Sequence, residues 1–151
     1  MGDEARVPIE SDADLVPARA RARALAEELG FSRTDATLIA TAVSEIARNI
    51  VSHVGLGEIV MTAIVEPDRR GLRVVASDDG PGIGDIEQAL EHGYTSRLGL
   101  GLGLSGARRL MDDFDIASSR MGTRVTMTKW RVLDELERLR ERRDSRPTGS
   151  S

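Results

Sequence analysis

Residues 93 to 111 read Gly-Tyr-Thr-Ser-Arg-Leu-Gly-Leu-Gly-Leu-Gly-Leu-Ser-Gly-Ala-Arg-Arg-Leu-Met, and the other motifs of the chain are arranged around this segment. Glycine alternates with leucine up to Gly103, and apolar side chains then recur at helical spacing from Leu104 to Met111. The pattern predicts a flexible loop that leads directly into a helix. Such a junction carries unpaired backbone N–H groups and the positive end of a helix dipole, so it favours a phosphate ligand.

Within this segment, residues 101–106 match the dinucleotide fingerprint G-x-G-x-x-G. That fingerprint belongs to a βαβ unit, in which a strand precedes the glycines and an acidic residue follows about 20 positions later. Here a predicted loop precedes the glycines, and residues 121–125 contain no carboxylate. The match therefore does not indicate a Rossmann site. A protein-kinase glycine loop is rejected as well, since the chain has no strand lysine or His-Arg-Asp sequence to accompany it.

Three polar residues precede the alternating glycines. Thr95 and Ser96 supply hydroxyls and Arg97 supplies a guanidinium, and these groups suit terminal phosphate oxygens. Because no lysine lies nearby, we expect Arg97 to provide the positive charge that complements a divalent cation. An ordinary surface arginine would look the same in the sequence.

The composition of the chain excludes several classes of protein. With 151 residues and 40% hydrophobic content, the chain is predicted to form one globular domain. A net charge of −4 argues against nucleic acid as a partner. The chain has no apolar run of membrane-spanning length, no leader-like N-terminus and no cysteine, which predicts a cytoplasmic protein without membrane association, disulfides or thiolate metal sites.

Hydrophobic periodicity and turn residues predict helices packed on one face of a mixed, mostly antiparallel sheet, which is an α+β two-layer sandwich. The predicted strands are an edge strand over 7–9, a hairpin of 58–66 and 72–78 with a turn over 67–71, and two closing strands over 115–120 and 123–130. Five helices are predicted. The first runs from a cap at Asp12 or Asp14 to Leu29, and the second from a cap at Ser32 or Thr34 to about Val54. The third covers 85–92, the fourth runs from the glycine-rich loop to about Asp113, and the fifth covers 131–143 with Leu133, Leu136 and Leu139 on one side.

Glu45 and Asn49 lie four residues apart in the second predicted helix, so their side chains leave the same face one turn apart. They interrupt a run of otherwise apolar or small residues. A carboxylate and an amide oxygen suit a hydrated Mg²⁺, and the carboxylate also suits a general base that activates a hydroxyl. The pair equally fits a polar stripe that faces solvent.

Asp78 ends a predicted strand whose inward residues are apolar, so alternation points its carboxylate toward the covered side of the sheet. A carboxylate in that position needs a hydrogen-bond donor, and the exocyclic amine of a purine would serve. A buried ion pair or a turn cap would satisfy it as well. Gly80 and Gly82 follow and let a ligand approach the backbone closely.

Taken together, four motifs resemble the GHKL ATP-binding fold of gyrase-type ATPases, Hsp90-like chaperones, histidine kinases and MutL-like proteins. They are Glu45-x-x-x-Asn49, Asp78-x-Gly-x-Gly82, Gly99-x-Gly-x-Gly103 and Gly122-Thr123. The chain more closely resembles the anti-sigma-factor serine/threonine switch kinases of the RsbT type. That resemblance rests on Ser-Glu-Ile-Ala-Arg-Asn-Ile at 44–50, Asp-Asp-Gly-Pro-Gly-Ile at 78–83 and Gly-Leu-Gly-Leu-Ser-Gly-Ala-Arg-Arg-Leu-Met-Asp-Asp-Phe at 101–114. It extends from about Val7 to Trp130.

The resemblance implies a Bergerat-type ATP site. It implies that Glu45 is the general base, that Asn49 coordinates Mg²⁺, that Asp78 accepts from the adenine amine and that Thr123 supports adenine binding. We expect the segment from Gly93 to Arg97 to close over the γ-phosphate. The other residues expected to contact the nucleotide are Gly80, Gly82, Ile83, Thr95, Ser96, Gly99, Gly101, Gly103 and Leu104.

The resemblance also implies a function. It implies an ATP- and Mg²⁺-dependent protein serine/threonine kinase that phosphorylates a STAS-domain antagonist or scaffold in a partner-switching pathway of sigma-factor or stress control, and that also binds and activates a PP2C-type phosphatase. The alternative is an anti-sigma factor, or a nucleotide-gated binding module with little kinase activity. A detached histidine-kinase catalytic domain is a weaker third interpretation, because the chain carries no phosphoacceptor helix pair.

Two features depart from the family pattern. Asp79 stands where many relatives carry asparagine, which places a second charge beside Asp78. Residues 131–151 extend beyond the usual end of the family, so we expect a GHKL-type kinase domain over 1–130, a helical extension over 131–143 and a disordered tail over 144–151. Whether the extension makes a homodimer is left open by the sequence.

Overall fold

The computed structural model describes residues 4–53, 55–79, 103–119 and 122–144. In chain order its elements are β1 (Glu4–Ile9), a 3₁₀ turn (Asp12–Asp14), α1 (Leu15–Glu28), α2 (Arg33–His53), β2 (Gly57–Val65), β3 (Arg69–Asp78), α3 (Gly103–Leu110), β4 (Asp113–Ser119), β5 (Gly122–Val132) and α4 (Glu135–Asp144). The strands form one five-stranded sheet in the order β1-β2-β3-β5-β4, and each neighbouring pair is antiparallel. The α+β class is confirmed. The predicted helix over 85–92 and residues 145–151 of the predicted tail lie outside the described residues, whereas Asp144, expected in the tail, is the last residue of α4.

Alternate residues of the strands turn toward the helices, as the two-residue period of a strand requires. Leu72, Val74 and Ala76 of β3 are buried on that face. The register places Met61 of β2 and Met127 of β5 opposite Val74, and both methionines are buried too. Helix α2 packs against both α1 and α3 and closes the core over this face. Among the described residues, no helix is long and apolar enough to cross a membrane.

The caps of α1 and α2 refine the sequence prediction. Ser32 is the residue that caps α2, because its Oγ accepts the backbone N–H of Asp35 at 3.0 Å. Asp14 does not cap α1 with its side chain. Its Oδ2 instead accepts the N–H groups of Glu10 and Ser11, at 2.7 and 3.1 Å, because a 3₁₀ turn separates β1 from α1. Pro8 lies in β1 at the sheet edge, where its missing N–H is tolerated as predicted.

The hairpin turn is shorter than predicted. Strand β3 begins at Arg69, so Arg69 to Gly71, expected in the turn, belong to the strand. Gly71 is tolerated there because the ring of Trp130 covers it: a Cβ added at Gly71 would lie 2.7 Å from Cζ3 of Trp130. The partner lies 59 residues later in the sequence, at the paired position of β5.

Two helix boundaries also differ from the prediction. Helix α3 ends at Leu110 rather than near Asp113, because Asp113 already pairs with Thr128 in the sheet. Strand β5 continues to Val132, and α4 begins at Glu135 rather than at residue 131. A capping box fixes that start: Asp134 Oδ1 accepts the N–H of Glu137 at 2.8 Å, and Glu137 Oε1 accepts the N–H of Asp134 at 3.1 Å.

Candidate functional site

Asp78 lies in a row of polar and small residues across one end of the sheet. Its register partners are Gly57 on β2 and Thr123 on β5, and Thr123 is in turn paired with Ser118 on β4. Residues paired directly across antiparallel strands share a face. The row therefore continues the covered face formed by Ala76 and its neighbours, and Asp78 is half-buried there. Its placement on this face agrees with the alternation in the sequence.

Glycines on both neighbouring strands bring the backbone close to Asp78. A Cβ added at Gly57 would lie 2.6 Å from the carbonyl oxygen of Ser77 and 3.3 Å from Cβ of Asp78. A Cβ added at Gly122, whose φ is +143°, would lie 2.1 Å from the carbonyl oxygen of Asp78. Only glycine fits at these two positions without displacing the strand that carries the carboxylate.

Thr123 is buried, and its Oγ1 lies 3.1 Å from Oγ of Ser118, a hydrogen bond in which either hydroxyl can donate. The pair places two rotatable hydroxyls in the same row as the Asp78 carboxylate. A carboxylate accepts hydrogen bonds, whereas a hydroxyl both donates and accepts. Sequence reasoning identified Thr123 but missed Ser118, because the strand register that joins them is not readable from local pattern.

Glu45 and Asn49 occupy α2, whose apolar side is fully packed. Buried residues surround the pair in the sequence: Ala42, Val43, Ile46, Ala47 and Ile50. Glu45 has a side chain only 13% exposed, and its Oε1 accepts a hydrogen bond from Nη1 of Arg48 at 3.1 Å. Glu45 is thus a largely buried carboxylate in an ion pair, rather than a member of a solvent-facing stripe. Arg48, one helical turn away, was not identified from the sequence.

The amide nitrogen of Asn49 is buried without a hydrogen-bond partner in the described structure. Such a group costs about 1–3 kcal/mol unless something satisfies it. Its neighbour Ile50 reaches the sheet, since the Cβ position of Gly57 lies 2.9 Å from Ile50 Cγ2. Because Gly57 pairs with Asp78, the C-terminal half of α2 lies at the same end of the molecule as the polar row.

Helix α3 completes the described part of this region. It begins at Gly103, it packs against α2, and Leu104 is buried in the shared core. Leu104 is therefore a core residue in the first turn of α3. The remaining predicted site residues lie outside the described residues: Gly80, Gly82, Ile83, Thr95, Ser96, Arg97, Gly99 and Gly101.

The donor set fits a magnesium ion better than a transition metal. Oxygen-bearing side chains, a carboxylate at Glu45 and an amide at Asn49, follow one another on α2, and Mg²⁺ prefers oxygen ligands. Within the described ranges there is no group of three or more His, Cys, Asp or Glu side chains that could enclose a metal. Two oxygen donors on one helix suit an ion that takes its other ligands from phosphate and water.

Residues 9–129 match the family model of the histidine kinase-like ATPase domain. The chain belongs to this family. The match begins at the last residue of β1 and ends within β5, so it includes every predicted site residue and excludes α4. The name of the family implies ATP as the nucleotide.

Relatives narrow the type of histidine kinase-like ATPase domain. The serine/threonine-protein kinase RsbT of Bacillus subtilis (strain 168) is 42% identical over 131 residues, which are 86% of this chain and 98% of the relative. The anti-sigma F factor of Clostridium novyi (strain NT) is 32% identical over 119 residues, 74% of this chain and 82% of the relative. The predicted class, a protein serine/threonine kinase of the RsbT type, is confirmed, and its wider relatives are anti-sigma factors.

A solved structure shows the same fold. The RsbU and RsbW domains of a Mycobacterium tuberculosis protein superpose with a TM-score of 0.58 at 21% identity, over 85% of this chain. This chain spans about a third of that longer protein, 32% of its length. The predicted GHKL fold is confirmed by the family match and by this likeness.

Proposed function

We propose that the protein transfers the γ-phosphate of ATP to a serine or threonine of a STAS-domain partner, and that Glu45 and Asn49 on α2 are the core of the transfer site. The observation that carries the proposal is the buried amide nitrogen of Asn49, which has no hydrogen-bond partner in the described structure and lies one turn from the largely buried carboxylate of Glu45. A buried N–H donor without a partner is uncommon in a folded protein, and an acceptor oxygen of a bound phosphate would satisfy it.

The adenine would bind at the end of the sheet where Asp78 and Thr123 lie. Asp78 would accept a hydrogen bond from the exocyclic amine, and Thr123 would contact the ring directly or through water. The Ser118 hydroxyl lies 3.1 Å from the Thr123 hydroxyl and would hold that hydroxyl in one orientation. Gly57 and Gly122 support this arrangement by leaving room for the strand that presents Asp78.

At the phosphate end, the amide oxygen of Asn49 would be a ligand of a Mg²⁺ ion that neutralises charge on the phosphate chain, and its amide nitrogen would donate to a phosphate oxygen. Glu45 would accept the proton of the substrate hydroxyl as the oxygen attacks phosphorus, and Arg48, 3.1 Å from Glu45, would orient the carboxylate. The glycine-rich junction before α3 would hold phosphate oxygens, with Arg97 adding positive charge. Phosphoryl transfer depends mainly on positioning and charge neutralisation, which such a set can supply.

The proposal is tested with γ-labelled ATP, Mg²⁺ and a purified STAS-domain protein. Wild-type protein is expected to label a hydroxyl of the partner. Glu45→Ala is expected to keep ATP affinity within about twofold, because the base contacts the substrate hydroxyl rather than the nucleotide, and to lower transfer by about 10²–10⁴-fold. Glu58→Ala, a strand carboxylate on β2 paired with Arg6, is the matched control and is expected to label normally. Ordinary turnover by Glu45→Ala would refute the base assignment.

A second function is favoured by the anti-sigma F factor relative, which is 32% identical to this chain. In that case the nucleotide would gate binding to a sigma factor, and the labelling experiment would be negative. A pull-down of sigma factors with and without ATP separates the two outcomes. Activation of a PP2C-type phosphatase belongs to the first proposal and is tested by adding the protein to such a phosphatase with and without the STAS partner.

A further inference from the structure

Thr123 and Ser118 form a pair of hydroxyls on the face of the sheet that carries Asp78. Thr123 lies on β5 and is only 9% exposed, and Ser118 is its register partner on the edge strand β4. Within the parts of the chain that the structure describes, the Thr123 hydroxyl forms its hydrogen bond with Ser118, at 3.1 Å. Ser118 therefore controls how a nearly buried hydroxyl is oriented.

The direction of this hydrogen bond decides what Thr123 can offer to a ligand. A hydroxyl has a single proton and two lone pairs, so one oxygen of the pair donates and the other accepts. If Thr123 donated to Ser118, Thr123 would present only lone pairs to a ligand. If Ser118 donates to Thr123, the Thr123 proton stays available. The site thus gains either a second acceptor beside Asp78 or a donor.

The Asp78 carboxylate makes the two directions unequal for a purine. It is an acceptor, and Thr123 is its register partner on β5. Adenine presents a donor, its exocyclic amine, next to an acceptor, its ring nitrogen N1. An acceptor at Asp78 and a donor at Thr123 are the complement of that edge. Guanine and hypoxanthine reverse both roles, since they carry a carbonyl in place of the amine and a proton on N1.

Close strand contacts fix the backbone around the pair. Gly122 precedes Thr123, and a Cβ added at Gly122 would lie 2.1 Å from the carbonyl oxygen of Asp78. Strand β5 therefore lies tightly against β3 at this point, while β4 pairs with Thr123 from the other side. Because the χ1 angle of threonine is stiff as well, rotation of the hydroxyl proton is the main freedom left at Thr123. The hydrogen bond with Ser118 acts on that rotation.

We propose that Ser118 is a positioning residue for nucleotide selectivity: its hydroxyl donates to Thr123, so that the Thr123 hydroxyl donates to N1 of adenine, directly or through a water. A bridging water transmits the same direction, because it accepts from Thr123 and donates to N1. Ser118 itself does not touch the base. The inference rests on the proposed function, in which Asp78 and Thr123 bind adenine, and it adds the residue that gives Thr123 its donor role.

The test compares the affinities of ATP and 1-deaza-ATP, in which a C–H group replaces N1, by titration calorimetry with Mg²⁺ and no partner protein. The wild type is expected to bind 1-deaza-ATP about 3–10-fold more weakly than ATP, which is the contribution of a neutral hydrogen bond. The ratio of the two affinities is taken within each variant, so a general loss of binding cancels.

Two substitutions at Ser118 change this ratio in a graded way. Ser118→Ala removes the donor and is expected to lower the preference for ATP to about twofold or less. Ser118→Asp supplies only acceptors, which turns the Thr123 proton away from the base, and is expected to abolish the preference. A preference as strong as that of the wild type in either variant would overturn the proposal.

Two control variants keep the wild-type ratio. Ser118→Thr retains the hydroxyl, and its loss of the preference would also overturn the proposal, because the shape of residue 118 would then matter instead of its proton. Ser77→Ala removes a hydroxyl from the residue before Asp78, which alternation places on the other face of the sheet. Purine riboside triphosphate, which lacks the amine that Asp78 would accept from, should lose affinity equally in the wild type and in Ser118→Ala.

Binding by the wild type separates a failure of this inference from a failure of the proposed function. If the wild type does not bind ATP, the proposed nucleotide site is refuted and the role of Ser118 with it. If the wild type binds ATP and 1-deaza-ATP with equal affinity, the proposed function stands, but Thr123 does not donate to N1 and the role given to Ser118 is refuted.

Discussion

Asp78 lies between β2 and β5. Both strands approach the end of β3 so closely that a side chain at Gly57 or Gly122 would collide with it. Gly57 is its register partner on β2, Gly122 lies beside its carbonyl oxygen, and Thr123, its partner on β5, extends the row with Ser118. Both glycines are the first residues of their strands, and at each one the neighbouring backbone leaves no room for a Cβ. The close approach sets the position of the strand end that carries the Asp78 carboxylate.

Gly122 offers a stability test of this packing. In Gly122→Ala, the new Cβ would meet the carbonyl oxygen of Asp78 at 2.1 Å, and the backbone would keep an unfavourable φ of +143°. We expect a loss of about 2–4 kcal/mol in the free energy of unfolding, measured by urea denaturation. Gly55→Ala is the matched control: its φ is +88°, yet nothing lies within 4 Å of the added Cβ.

The control should lose only about 1 kcal/mol, which is the contribution of the φ strain alone. Equal losses in the two variants would show that crowding at Asp78 is unimportant. The comparison also separates backbone strain from the packing that positions the carboxylate.

At the scale of elements, α3 links the glycine-rich junction to the sheet. Its first turn is packed on α2, and its C-terminal carbonyl, that of Leu110, accepts a hydrogen bond from Nζ of Lys129 at 3.2 Å. Lys129 also lies 3.6 Å from Oδ1 of Asp112. The chain's one lysine thus satisfies a carbonyl at the negative end of the helix dipole, where a cation is favourable.

Lys129→Met tests whether this contact holds α3 in place. The substitution keeps an apolar stem and removes the ammonium group, which should destabilise the end of α3 by about 1–2 kcal/mol. Amide hydrogen exchange over 103–110 is expected to become about 5–30-fold faster. Arg124→Met, at an exposed position of the same strand, serves as the control and should leave exchange in α3 unchanged. Unchanged exchange in Lys129→Met would show that the contact does not stabilise the helix.

The elements differ in how far the sequence predicts them. Helix α2 and strand β3 follow from periodicity, and alternation alone placed Asp78 on the covered face. The ends depend on contacts that are remote in sequence: Gly71 stays in a strand because Trp130 covers it, and α3 stops where Asp113 joins β5. The start of α4 carries a local signal, Asp134-x-x-Glu137, but the leucine spacing favours an earlier start. Ser118 and Arg48 could not be assigned to the site without register and side-chain contacts.

At the scale of the whole molecule, ATP binding should stabilise the folded chain. A ligand that binds only the native state adds about 2.7 kcal/mol at 100 times its dissociation constant. For a domain of this size, such an addition raises the melting temperature by about 5–10 °C. The shift reports binding without requiring a partner protein, so it tests the nucleotide site separately from the kinase reaction.

Asp78→Ala is expected to abolish most of this shift, because the carboxylate that would accept from the adenine amine is removed. Its matched control is Asp79→Ala, which removes the same charge from the next residue, an exposed one. Thermal melts with Mg²⁺ and ATP, at concentrations that saturate the wild type, should show a normal shift for Asp79→Ala and a shift of under about 2 °C for Asp78→Ala. GTP, which presents a carbonyl where adenine presents an amine, should stabilise neither variant. Equal ATP shifts in the two variants would mean that Asp78 does not read the base, and the row that it shares with Thr123 would then be structural.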